Sequence, residues 1–186
     1  MRRAAAVLAV LALTVACGRS TSDGTAAPRV AAMSPATVIA GQQAPLPAGR
    51  AVLTLTGRIG APNKGRSVVL DLATIERMGL YRVTVYEPWL KKDMEFRGVW
   101  LRDVLAVADV PADARTVKIT ALDDYVVRLN MADVRAGGVM LVTAAGDGTL
   151  LSIEAGGPTR IVFADGTPAG ANADQWIWSL RQIDVR

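Results

Sequence analysis

Apolar and polar residues alternate along this chain at two different periods, and the switches between them outline its elements. AVLTLTGRI, Ala51 to Ile59, alternates at period two and stops at Gly60 and Pro62, which predicts a half-buried strand. SVVLDLATIERMGL holds a short strand, Ser67 to Leu70, and then a short helix. Asp71 stands at the N-cap of that helix, with Leu72, Ile75 and Met78 on its inner face. YRVTVYEPW alternates again until Pro88 stops it. FRGVWLRDVLAVADV is expected to turn at Gly98 and continue as a helix whose Leu101, Val104, Leu105 and Ala108 share one face.

Strand signals dominate the rest. TVKITAL and YVVRLNM flank a turn at Asp123-Asp124 and read as a hairpin. Ala132 to Ala136 is a short helical turn before Gly137-Gly138, and VMLVTAAGDGTLL predicts two strand pieces around Gly146 to Gly148. RIVFAD and WIWSLRQIDV supply the last strands; Trp176 and Trp178, two apart on a strand, are expected to share a face. For these two, core packing is weighed against an exposed aromatic patch for a partner. Many short strands with two or three short helices define an α+β, mostly β domain over residues 51–186, with no internal repeat.

The first residues follow another logic. In MRRAAAVLAVLALTVACGRS, Arg2 and Arg3 form a positive n-region, and Ala4 to Val15 is an apolar run of signal-peptide length. It is shorter than the roughly 20 residues that a spanning helix needs. A signal peptide over residues 1–17, and export, are expected. Cys17 closes LTVAC, which resembles a bacterial lipobox, whose cysteine becomes the lipidated first residue of the mature protein. Thr14 departs from the aliphatic residue usual there, and ordinary cleavage near Ala16-Cys17-Gly18 is the alternative. From Gly18 to Arg50 the chain is rich in Ser, Thr, Ala, Pro, Gly and Gln, and is expected to be a flexible linker. The expected location is the periplasm or cell surface, with a lipid anchor to a membrane.

Composition then narrows the chemistry. The net charge of +4 is scattered, with no basic cluster among aromatics, so nucleic acid is not an expected partner. The chain has no histidine, and its single cysteine is Cys17. The domain therefore has neither imidazole nor thiolate to offer, and no disulfide to brace it. Metal binding would rest on carboxylates; Asp123-Asp124 is the one adjacent acidic pair, and in a hairpin turn such a pair faces water. Neither Ser-x-x-Lys nor Gly-x-Ser-x-Gly occurs, which leaves hydrolysis unsupported. EAGGPTRIVFADG, Glu154 to Gly166, lacks the Lys-Ser/Thr ending of a phosphate-binding loop and precedes a strand instead of a helix. It reads as a turn that launches a strand.

MEFRGVWLRDVLAVADV, VKITALDDYVVRLNMADV, GGPTRIVFADG and WIWSLRQIDV occur in an order and spacing that resemble the oxidoreductase molybdopterin-binding domain, with its sulfite-oxidase-like fold of mixed sheets. The resemblance covers about Val52 to Val185. It implies a molybdenum–pterin cofactor, the metal held by two dithiolene sulfurs and by a protein cysteine that follows the strand before the Phe/Trp-x-Gly motif. Here that strand is VTVYEPW, and Tyr86, Glu87, Pro88 and Trp89 stand where the thiolate would be. Neither an indole nor a proline ring replaces a metal–sulfur bond, and Glu87 would offer only a harder oxygen. Family enzymes also carry a long loop before the motif, often with histidines and arginines; here it is LKKDME. Arg2-Arg3 lacks the continuation of a twin-arginine signal, the route for a folded, cofactor-loaded protein.

By their place in or beside these motifs, Arg97, Tyr125 and Arg160 are candidates for a residual pocket for a small anionic ligand. For each, a solvated charge or a core-packed ring is the bland reading. The expectation is a module without cofactor that binds a small anionic ligand or a periplasmic or membrane protein partner. The alternatives are an active molybdopterin-dependent oxidoreductase with Glu87 or solvent as the metal's ligand, and a structural lipoprotein.

Overall fold

In the computed structural model, which describes residues 29–186, period-two alternation becomes two five-stranded sheets. The expected signal peptide, Cys17 and the start of the linker lie outside the described residues. In chain order the elements are β1 (Val30–Ser34), β2 (Leu53–Gly57), β3 (Val68–Leu70), α1 (Leu72–Glu76), β4 (Leu80–Glu87), β5 (Lys92–Trp100), α2 (Leu101–Val107), β6 (Thr116–Ala121), β7 (Val126–Asn130), α3 (Met131–Ala136), β8 (Val139–Ala145), β9 (Arg160–Phe163) and β10 (Leu180–Val185). One sheet has the order β1-β4-β5-β8-β9 and is antiparallel throughout. The other runs β3-β2-β10-β6-β7 and is mixed, because β10 pairs with β2 in parallel.

The inward residues of both sheets meet in one contiguous core. Leu53, Leu55, Val117, Ile119 and Ile183 come from one sheet, and Val83, Val85, Val99, Leu141 and Ile161 from the other. Ile75 of α1 and Leu101, Val104 and Leu105 of α2 join them, as their helical spacing requires. Each such side chain contributes about 1.5–3 kcal/mol on full burial. The core is what holds the described residues together.

Asp71 caps α1 as its position predicts, and it does more. One carboxylate oxygen accepts from the Thr74 N–H at 2.8 Å; the other accepts from the N–H groups of Ala48 and Gly49, each at 2.9 Å. This second set holds Ala48 and Gly49 on the domain, within the stretch before Ala51 that composition marks as linker. β1 adds to the edge of β4, Thr37 and Val38 donate to the Arg77 carbonyl, and Val38 and Ala44 are buried. VAAMS has small residues and no alternation, and the next stretch is anchored through backbone groups, so no period in the sequence announces either.

Three further differences concern local geometry. Gly98 is not in a turn before α2 but inside β5, where the register against β8 shifts. A Cβ there would lie 2.4 Å from the Leu141 carbonyl oxygen, so the glycine serves close strand approach at a bulge. Beyond Gly146 to Gly148, the second expected strand piece is only an isolated bridge, Ala144 to Leu150. Trp176 and Trp178 precede β10 and are not part of it; Ser179, with φ of 51°, breaks the extended run between them and the strand.

Asp71 gives this fold an acid-sensitive joint. Burial pushes its carboxyl up, but the hydrogen bonds from Thr74, Gly49 and Ala48 together outweigh burial and hold it at about 2. A carboxyl whose folded pKa is depressed contributes its full stability above the unfolded value and loses it as pH falls through the folded one. Stability should therefore drop between about pH 4 and pH 2 by on the order of 1–2 kcal/mol from this group. Asp71→Ala should lower stability near neutral pH by a similar amount and flatten that part of the profile, as read by urea denaturation across pH.

Candidate functional site

The alternation of β4 carries a charge into the core. Val83, Val85 and Glu87 fall on one face at period two, and Glu87 is 0% exposed. Arg160, the first residue of β9 and 3% exposed, meets it: Nη2 lies 2.8 Å from Oε1. The other carboxylate oxygen accepts from the Leu90 N–H at 2.6 Å, which pins the turn between β4 and β5. Arg160 also lies against two rings, 5.1 Å from the centroid of Phe96 and 4.4 Å from that of Trp178. Burial is the largest influence on the guanidinium and pushes its pKa below the ordinary value, against the hydrogen bond and charge of Glu87. Its Nε, Thr159 Oγ1 and Trp178 Nε1 are buried without a hydrogen-bond partner among the described residues.

The Gly-Gly-Pro-Thr-Arg stretch delivers this arginine. Gly156 has φ of +83°, and a Cβ on it would come within 3.0 Å of the Trp178 ring. The Ser179 N–H donates to the Gly156 carbonyl at 2.8 Å and the Leu180 N–H to the Thr159 carbonyl at 2.9 Å. The turn thus docks beside Trp178 and starts β9, as its reading as a strand-launching turn anticipates.

Outside the ion pair lies a cleft of about 280 Å3, lined by Trp89, Ala121, Asp123, Tyr125, Trp176 and Trp178. Trp89 comes from the turn that Glu87 pins, and Trp178 rests on Arg160. Tyr125 follows the turn after β6, and its hydroxyl donates to the Asp174 carbonyl at 2.8 Å. Trp176 donates from Nε1 to the Gly170 carbonyl at 3.0 Å and packs on Phe163 with centroids 5.5 Å apart. Asp123 Oδ1 accepts from the Tyr125 N–H at 3.1 Å. Of the two tryptophans weighed from the sequence, Trp176 packs in the core and Trp178 is half-buried, and both rings line the concavity.

The residues singled out in the sequence do not converge. Tyr125 lines the cleft, and Arg160 lies beneath its wall with its charge already paired. Arg97 follows Phe96 on β5 and so points to the opposite face of the sheet, where Nε donates to the Gly146 carbonyl at 2.9 Å. Asp123 and Asp124 part company as well, since Asp124 pairs with Arg181. Among the described residues no three groups able to ligate a metal come together.

Comparison with known proteins places this arrangement in a family. The family model of the oxidoreductase molybdopterin binding domain matches residues 61–185. The chain belongs to this family. Among solved structures, the crystal structure of the sulfane dehydrogenase SoxCD from Paracoccus pantotrophus is similar, with a TM-score of 0.54 at 20% identity. The match covers 72% of this chain and 37% of that one, and it is a likeness of fold. The sulfite-oxidase-like architecture expected from the motifs is thus the one observed, mostly β, with mixed and antiparallel sheets and short helices. No curated protein matches the chain.

Membership in the molybdopterin-binding family poses a question of fit. The segment where the resemblance implies a thiolate, Tyr86 to Trp89, contains Glu87, whose two oxygens are committed to Arg160 and to the Leu90 N–H. The sequence from Gly18 onward contains neither cysteine nor histidine. These residues do not fit a thiolate-held molybdenum, and a carboxylate already neutralised by a guanidinium is a poor substitute for one. As an oxygen donor to a metal, the one role its position in the motif suggests, Glu87 is already occupied. The signal that would have revealed its role was present, because Val83, Val85 and Glu87 continue one inward-facing register; the identity of its partner was not.

Removing one member of such a pair leaves a bare charge in the core. Glu87→Leu and Arg160→Met should each cost about 3–5 kcal/mol, whereas the two together should recover much of that loss. A double-mutant cycle in urea measures the coupling; a coupling near zero would refute the pairing.

Proposed function

We propose that this domain works by recognition and not by redox catalysis: an exported, membrane-tethered member of the molybdopterin-binding family that has lost the metal ligand and binds a small ligand or a partner protein. The observation that carries this reading is the commitment of Glu87 to Arg160 at the end of β4. Recruiting Glu87 to a metal would strip Arg160 of its counter-charge in a site with almost no access to water, at a cost of several kcal/mol. The neighbouring aromatic cleft gives a binding role a concave surface of ligand-sized dimensions. Export and anchoring rest on the sequence of residues 1–17 and on Cys17 within LTVAC.

Family membership itself favours a second reading, an oxidoreductase subunit whose metal is held without a protein thiolate. The two differ in metal content. Protein purified from a molybdenum-replete host should contain molybdenum far below one atom per chain by elemental analysis. Near-stoichiometric molybdenum, with turnover of an electron donor, would overturn the recognition reading. The anchor is tested separately: Cys17→Ala should move the protein from the membrane fraction to the soluble exported fraction. Unchanged membrane association of that variant would discard lipidation at Cys17.

A further inference from the structure

We infer that the cleft between Trp89, Tyr125, Trp176 and Trp178 takes a small organic cation of the quaternary or tertiary ammonium class. This inference rests on the recognition reading above and gives it a ligand chemistry. Three indoles and a phenol supply the walls. Aromatic faces carry negative potential, and rings that converge on one concavity hold an alkylated ammonium group better than a neutral group of equal shape. Trp89 and Tyr125 are 55% and 46% exposed, so large apolar faces stand in water until a ligand covers them.

Charge decides between the ligand classes. Asp123 is the sole charged residue in the lining, and among the described residues it makes no ion pair; its recorded partner is the Tyr125 N–H. Asp124 beside it is neutralised by Arg181, and Arg160 behind Trp178 is neutralised by Glu87. The uncompensated charge at the cleft is therefore negative. An anion would meet Asp123 with no cation to receive it. A metal ion would find one carboxylate where several oxygen ligands are needed. A neutral ring would stack but leave the carboxylate unanswered.

The rings have distinct parts in this arrangement. Arg160 already occupies one face of Trp178, which draws on the same π density that a ligand would use. The cationic head should thus lie mainly against Trp89 and Tyr125, whose rings carry no cation among the described residues. Trp176 and Trp178 are the more buried rings of the lining, and Asp123 is its exposed charge. Since Glu87 pins the turn of Trp89 while Arg160 supports Trp178, the ion pair sets the spacing of the two indoles.

The test compares choline chloride with its neutral isostere 3,3-dimethylbutan-1-ol in nitrogen-15 spectra of the full chain, at constant ionic strength. Choline should shift the indole N–H signals of Trp89 and Trp178 saturably and leave that of Trp100 in place. The isostere should bind at least about tenfold more weakly, and Trp89→Ala and Asp123→Asn should each weaken choline about fivefold or more. Both residues are exposed surface positions, and an unmoved Trp100 signal verifies the fold of each variant. Equal binding of the isostere would overturn the inference in favour of an apolar stacking site. So would the lack of saturable shifts up to about 100 mM choline, which is weaker than any useful aromatic cage. Either failure with molybdenum-free protein leaves the recognition reading standing, whereas stoichiometric molybdenum would sink that reading whatever choline does.

Discussion

Two full charges in the interior of a protein are tolerated only in each other's company, and the Glu87–Arg160 pair organises its surroundings for that reason. Desolvating either ion alone costs several kcal/mol, so the ends of β4 and β9, with β5 and β8 between them in the sheet order, must stay together. The remaining hydrogen-bonding capacity of the pair extends the constraint outward. Glu87 fixes the turn that carries Trp89, while the faces of Phe96 and Trp178 take the guanidinium between them. The Gly156-Gly157 turn is shaped by the same demand, because a side chain at Gly156 would strike the indole that shields the arginine. The buried ion pair thus ties two of the aromatic rings of the cleft, through the turn of Trp89 and the face of Trp178, to one fixed point.

Membership in the molybdopterin-binding family gives this pair its interest. The strand end where the resemblance implies a soft metal ligand here holds a hard carboxylate turned to an internal partner. The sheets follow the fold expected of the family, so it is the donor set at this strand end that bears on the chemistry. On the reading proposed here, the position has passed from holding a cofactor to holding the scaffold of a binding cleft.

The segment before β2 shows another use of a buried carboxylate. Asp71 serves α1 and the 48–49 backbone at once, so the helix cap also clamps the entering chain onto the domain. β1 on the edge of β4 likewise places structure well upstream of the first alternating strand.

Local pattern decided a great deal. The alternation of β2, β4, β6 and β7, the Asp71 cap and the apolar face of α2 could all be read along the chain, because each depends on residues within one or two turns or a few strand positions. The absence of histidine, and of cysteine beyond Cys17, limited the chemistry without any coordinates. Tertiary structure alone decided what depends on distant partners. β1 has small residues and no alternation; Gly98 looks like a turn until β8 crowds it; the run through Trp178 looks like strand until Ser179 bends it away. Glu87 and Arg160 stand 73 residues apart, and the cleft gathers side chains from separate turns. Sequence periodicity reports which way a side chain faces relative to its neighbours along the chain; it carries no information about which charge or ring will be waiting across the core.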